Sequence, residues 1–144
     1  MKFTLLLFLL TPLLAFSQID SIISSNTKRT YKLQLPTEYN KQKEYPVLFV
    51  LHGYYHENLG MPEYSGFDKF VDRDCIVVYP HGLKEEHGNN YFWNSGGGLS
   101  KNYGGVDDVK FIEDLIDELP NKYAINRDRV FVVGHSNGGM MSYR

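Results

Sequence analysis

The chain has 144 residues, 42% hydrophobic and 15% aromatic, with 15 Lys and Arg against 17 Asp and Glu, a formal net charge of −2 and one cysteine. This size fits one domain, and the apolar content and near-neutral balance exclude a disordered chain and a polybasic nucleic-acid binder. One cysteine closes no intramolecular disulfide and builds no multi-cysteine zinc site.

At the N-terminus, Lys2 precedes an uncharged apolar stretch over residues 3–10 and 13–16, interrupted by Thr11 and Pro12 and followed by the small residues Ala15 and Ser17. A membrane-spanning helix needs about 20 apolar residues. A positive start, a short apolar run and small residues instead predict a secretory signal peptide over residues 1–17, cleaved between Ser17 and Gln18. A lipid-anchored protein would carry a cysteine just after the cut, where Gln18 stands. The expectation is a secreted protein, extracellular or periplasmic, with no stable membrane anchor.

From Gln18 onward there is no repeat, low-complexity tract or linker, so residues 18–144 read as continuous domain sequence. Residues 19–24 and 29–35 are β-rich runs around Ser25-Asn26-Thr27, the pattern of a hairpin. Residues 47–51 and 76–79 are unbroken apolar runs, which predict strands buried on both faces. Between them Phe67, Phe70 and Val71 fall at helical spacing, and a Gly- and Asn-rich loop occupies residues 81–105. Val109, Ile112, Ile116 and Leu119, widened by Phe111 and Leu115, predict a helix with Asp107 and Asp108 in its acidic first turn and Pro120 at its end. Residues 129–133 form a fourth apolar strand. This alternation predicts an α/β domain with a mostly parallel sheet flanked by helices.

The chemistry lies where that last strand ends. Gly134-His135-Ser136-Asn137-Gly138 reads Gly-x-Ser-x-Gly, in which small residues on either side let the backbone fold back and lift the serine hydroxyl above the sheet. Alone the match is weak, and a Gly-rich loop that packs closely or cradles an anion would share it. Its context is a nucleophile elbow: residues 130–133 supply the strand and residues 140–144 a helix-compatible run. Upstream, His52-Gly53-Tyr54 ends the strand at 47–51, where α/β-hydrolases keep the loop that donates an oxyanion amide.

The ordered set of Tyr45-Pro46-Val47-Leu48-Phe49-Val50-Leu51-His52-Gly53, Val77-Val78-Tyr79-Pro80-His81-Gly82, Trp93-Asn94, Val106-Asp107-Asp108-Val109 and Gly134-His135-Ser136-Asn137-Gly138-Gly139-Met140-Met141-Ser142-Tyr143-Arg144 resembles the secreted polyhydroxybutyrate depolymerase and feruloyl esterase-type branch of the α/β-hydrolases. The likeness runs from about Thr30 to Arg144. It implies an α/β-hydrolase fold and a secreted serine esterase that cleaves carboxylic esters, of polyhydroxyalkanoates or of feruloylated or acetylated polysaccharides, through an acyl-enzyme on Ser136. The backbone amides of Tyr54 and Asn137 would form the oxyanion hole, and on that basis Asn137→Ala is expected to be mild. No cofactor or metal is implied. The partner is an ester substrate, polymeric or not, with no nucleic acid, and the oligomeric state is left open. Two readings stand beside it: a prolyl oligopeptidase-like peptidase, since the elbow serves amides too, and a non-catalytic fragment or binding module.

All five histidines, His52, His56, His81, His87 and His135, precede Ser136, whereas in this fold the order is Ser, acid, His. The base and acid are therefore expected beyond Arg144, and the chain reads as the N-terminal half of a catalytic domain, inactive and poorly folding alone, with the strand at 129–133 left as an apolar edge. His52 reads as a loop-ordering residue, His135 as the variable elbow position, and Asp107 and Asp108 as helix-start and loop-ordering residues. His52, His56 and Glu57 lack zincin spacing. Tyr54, Tyr55, Tyr64, Tyr91, Phe92, Trp93 and Tyr103 fall in loops after strands and are either half-buried packing or the lining of a cleft, with Tyr55 and Trp93 as the substrate-binding candidates. Cys75 reads as a buried thiol.

Overall fold

A computed structural model describes residues 18–54, 61–96 and 105–144. The predicted signal peptide and Tyr55, His56, Glu57 and Tyr103 lie outside these residues.

Ser25 and Asn26 both adopt positive φ, 47° and 60°, so the chain reverses in two residues and β1 (Gln18–Ser24) pairs antiparallel with β2 (Thr27–Gln34). Positive φ at both turn positions matches the right-handed twist of the strands it joins. The apolar runs become β3 (Tyr45–Leu51) and β4 (Ile76–Pro80), and β7 (Ile125–Gly134) follows on the other side of β3. The sheet order is β1-β2-β4-β3-β7, with β4, β3 and β7 mutually parallel and the hairpin added antiparallel through β2.

Side-chain alternation explains the unbroken apolar runs. Val47, Phe49, Leu51, Ile76 and Val78 face one core, with Phe111 and Leu115 of α2 (Asp108–Glu118) and Met141 of α3 (Asn137–Ser142). Leu48, Val50, Val77 and Tyr79 face the other, together with Cys75, Phe67 and Val71. Both faces of β3 and β4 are thus covered, and a polar residue on either would be buried. The Cys75 thiol is buried in the second core, which raises its pKa.

Three local differences from the sequence reading have physical causes. The helix around Phe67 and Phe70 is two short pieces, α1 (Met61–Ser65) and a 3-10 turn at Phe67–Arg73, because Gly66 between them is left-handed (φ 67°) and stops the first. The 81–105 loop contains a small hairpin, β5 (Leu83–Lys84) with β6 (Tyr91–Phe92), too short to leave a periodic signal. The last strand begins at Ile125 rather than Arg129: Ile125 pairs with Tyr45, the register then shifts, and regular pairing resumes at Val130 with Val47, so the intervening Asn126, Arg127 and Asp128 lie at an irregularity and give no apolar pattern. Among the described residues β7 is paired only with β3, and Phe131 and Val132 are 54% and 41% exposed.

The chain leaves β3 toward β4 and later returns past it to β7. The sheet order therefore reverses at β3, and crevices at such a reversal, beyond the strand C-termini, are where open α/β sheets bind ligands. The loop after β3 and the turn after β7 meet there.

Candidate active site

Ser136 stands at the turn between β7 and α3 with φ 52° and ψ −116°, a strained conformation for a residue with a side chain, and it is solvent-exposed. The glycines around it are needed for space. A β-carbon on Gly138 would overlap the carbonyl oxygens of Leu51 and His52 and lie 2.7 Å from the Leu51 carbonyl carbon, while one on Gly134 would lie 2.6 Å from the Gly139 nitrogen. The turn is pinned to β3 by His135 N–H donating to Leu51 O (3.1 Å), and closed locally by Gly138 N–H to His135 O (2.9 Å) and Met140 N–H to Ser136 O (3.0 Å).

Asn137 opens α3 and is buried. Its backbone N–H has no acceptor among the described residues, as expected of a first-turn amide. Its side chain is fully engaged: Oδ1 accepts from Trp93 N–H (2.7 Å), and Nδ2 donates to Trp93 O (3.0 Å) and to Ser95 Oγ (3.3 Å). The expectation that Asn137→Ala is mild rested on the backbone alone. This buried pairing gives the side chain its own role: truncating it takes the acceptor from Trp93 N–H and leaves Trp93 O with the N–H of Ser95 (2.9 Å).

His52 orders the loop after β3. It is fully buried, accepts from Gly82 N–H at Nε2 (2.9 Å) and donates from Nδ1 to Gly53 O (2.5 Å), so the proton sits on Nδ1 and both nitrogens are in use. Desolvation holds its pKa down at about 4, against a partial rise from the bond to Gly53. A neutral ring with both nitrogens occupied joins the loops after β3 and β4 and is not available as a base. His81 is likewise buried and held at about 4 by desolvation, with Nδ1 hydrogen-bonded to Thr30 Oγ1 (2.8 Å).

The aromatic candidates divide. Trp93 differs from the expectation of a cleft-lining ring: it is 0% exposed, its ring packs 4.9 Å from that of His52, and its indole N–H donates to His52 O (2.9 Å). Phe92 is buried and Tyr91 half-buried. Tyr54 is exposed, with its hydroxyl bonded to the Glu85 carboxylate. Tyr64 is also exposed, its ring edge-on to that of His135 at 5.8 Å, and both border an apolar groove of about 450 Å³ with Val50, Phe67 and Val133. Tyr55 lies outside the described residues.

Asp107 caps α2 by accepting from Lys110 N–H (2.9 Å). Asp108 is buried and uses both oxygens: Oδ1 pairs with Arg29 Nη2 (2.6 Å) and Oδ2 accepts from Asn94 N–H (2.7 Å). Arg29 also donates to His81 O (3.2 Å) and lies over the Phe111 ring at 4.0 Å. Arg29 has no place among the sequence candidates, and Asn94 appears there only within the Trp93-Asn94 motif. The signal was present: Arg29 shares the inward register of Tyr31 and Leu33 on β2, and Asp108 lies one turn before Ile112 on the helix face toward the core, so two opposite charges occupy core-facing positions.

The family model described as "Putative esterase" matches residues 23–143. A curated relative, "Probable feruloyl esterase C" of Aspergillus niger, is 26% identical over 121 residues, covering 80% of this chain and 40% of the relative. "Feruloyl esterase D" of Neurospora crassa is 25% identical over 144 residues, covering 92% of the chain and 45% of the relative. The chain thus spans less than half the length of these relatives. Among solved structures, an S-formylglutathione hydrolase from Agrobacterium tumefaciens superposes with a TM-score of 0.66 at 16% identity, covering 86% of this chain and 50% of that one. A ferulic acid esterase from Anaeromyces mucronatus, solved with ferulic acid, gives 0.60 at 21%, covering 86% and 50%. These superpositions establish the α/β-hydrolase fold.

Proposed function

This chain belongs to the esterase family, and on that premise we propose that it carries the nucleophile of a secreted serine esterase acting on carboxylic esters, feruloyl or acetyl polysaccharide esters or polyhydroxyalkanoates among them. The observation that carries the reading is the strained Ser136 at an exposed strand-to-helix turn whose flanking glycines admit no β-carbon. Ser136 Oγ attacks the ester carbonyl carbon, and the negative charge on the tetrahedral oxygen is met by the amides of Asn137 and Tyr54. Collapse expels the alcohol and leaves an acyl-enzyme, which water then hydrolyses to the free acid and Ser136. The general base and its acid are assigned to sequence after Arg144, in keeping with the chain order of this fold and with the engaged nitrogens of His52. The feruloyl esterase names of the relatives favour aromatic acyl esters.

Labelling of the full-length enzyme with a fluorophosphonate tests this reading. Modification at Ser136 and loss of turnover in Ser136→Ala are expected, and a Ser136→Ala enzyme that retains turnover refutes it. Comparing feruloyl, acetyl and hydroxybutyrate esters then orders the substrate classes.

A further inference from the structure

We propose that the Asn137 carboxamide is a positioning residue, which holds the Asn137 amide where the developing oxyanion forms by clamping the elbow to the backbone of Trp93; this rests on Ser136 as nucleophile. A Ser136 with φ 52° and ψ −116° persists only where its surroundings over-determine it. The local bonds of the elbow run to its own turn and to β3. Arg144, past the end of α3, donates to Asn94 O (2.7 Å) and Asn94 Oδ1 (3.1 Å), but within the elbow itself it is the Asn137 side chain that bonds this third segment, and it does so as a matched pair, one acceptor on Trp93 N–H (2.7 Å) and one donor on Trp93 O (3.0 Å).

The far end of this clamp is itself fixed. Trp93 is anchored through its indole to His52 O (2.9 Å), and Asn94 through its amide to Asp108 Oδ2 (2.7 Å) and its side chain to Val106 O (2.6 Å). Asp108 is in turn held by Arg29 of β2 (2.6 Å). A continuous polar chain therefore runs from β2 through the first turn of α2 and the 93–94 segment to the residue after the nucleophile. Oxyanion donors act only when placed about 3 Å from the reacting oxygen, with a tolerance near 0.5 Å, so a clamp that removes freedom from this amide contributes to the rate rather than to substrate affinity. The short carboxamide of Asn137 meets both the buried N–H of Trp93 and its buried C=O, which also accepts from Ser95 N–H (2.9 Å).

The test is steady-state kinetics of full-length Asn137→Ala and of the isosteric Asn137→Asp, which keeps the acceptor for Trp93 N–H and loses the donor to Trp93 O. Both are compared with wild type and Ser136→Ala at a temperature where circular dichroism shows them folded. The expected result is a kcat lower by about ten- to a hundredfold with KM within about threefold, somewhat less than the loss of an oxyanion donor outright. Wild-type kcat in a folded variant overturns the clamp while an inactive Ser136→Ala leaves the nucleophile assignment standing. Failure of both variants to fold also overturns it, by assigning the carboxamide to stability alone. Turnover by Ser136→Ala removes the premise instead.

Discussion

Gly134 and Gly138, the two small residues flanking Ser136, pack against one another: a β-carbon on Gly134 would overlap the carbonyl group of Gly138. Gly138 in turn lies against the end of β3, so the strand-to-helix turn is formed by three backbone segments in direct contact. The spacing legible in the sequence is the footprint of this contact.

Gly138→Ala is therefore expected to be far costlier than a surface glycine change. The overlapped atoms are backbone carbonyls of Leu51 and His52, which cannot rotate away, so about 3 kcal/mol or more of stability is lost together with the geometry of Ser136. Gly66 is left-handed with open space around it, and Gly66→Ala should cost only about 1 kcal/mol. Denaturant midpoints of the two variants compare them directly, and equal losses would contradict the packing account.

The Arg29–Asp108 pair is almost wholly buried, with side chains 3% and 0% exposed. Removing one member leaves the other charged and without its partner, so Asp108→Ala should destabilise by about 3–5 kcal/mol, whereas breaking the exposed Lys43–Asp74 pair by Lys43→Ala should change stability far less. Urea titrations distinguish these. A small effect at Asp108 would show that water reaches the pair.

His52 and His81 give the fold a defined acid sensitivity. Both titrate near 4 when folded against an ordinary 6.5, because burial disfavours the charged ring. As pH falls below 6.5 the unfolded chain binds protons that the folded chain refuses, so stability is lost through the window from 6.5 to about 4 and is flat above it on their account. Each contributes on the order of 3 kcal/mol across that window. Denaturation midpoints at pH 7.5 and pH 4.5 should differ less in His81→Asn than in wild type, and an undiminished difference would exclude His81 as a source.

Trp93, wholly buried, should govern stability rather than substrate choice. Trp93→Phe removes the indole bond to His52 O and some packing, an expected loss of about 2 kcal/mol, while the ratio of feruloyl to acetyl ester turnover stays at the wild-type value. A changed ratio would return this ring to the substrate cleft.

What was legible in the sequence shares one cause: each feature repeats along the chain at short range. The two unbroken apolar strands, the hairpin around Ser25-Asn26-Thr27, the α2 stripe and the Gly-x-Ser-x-Gly spacing are local, since backbone geometry imposes periods of two or 3.6 residues or a fixed offset of glycines. The side-chain roles that decide the site are not. Asn137 meets Trp93 across 44 residues, Arg29 meets Asp108 across 79, and His52 meets Gly82 across 30. A carboxamide, a carboxylate or an imidazole has the same propensity whether or not a buried partner awaits it, so only the packing of β3, α2 and α3 around the sheet determined which of these polar groups became structure. The strand-to-helix turn at Ser136 could be read from its neighbours in sequence, whereas what holds that turn in place depended on the tertiary fold.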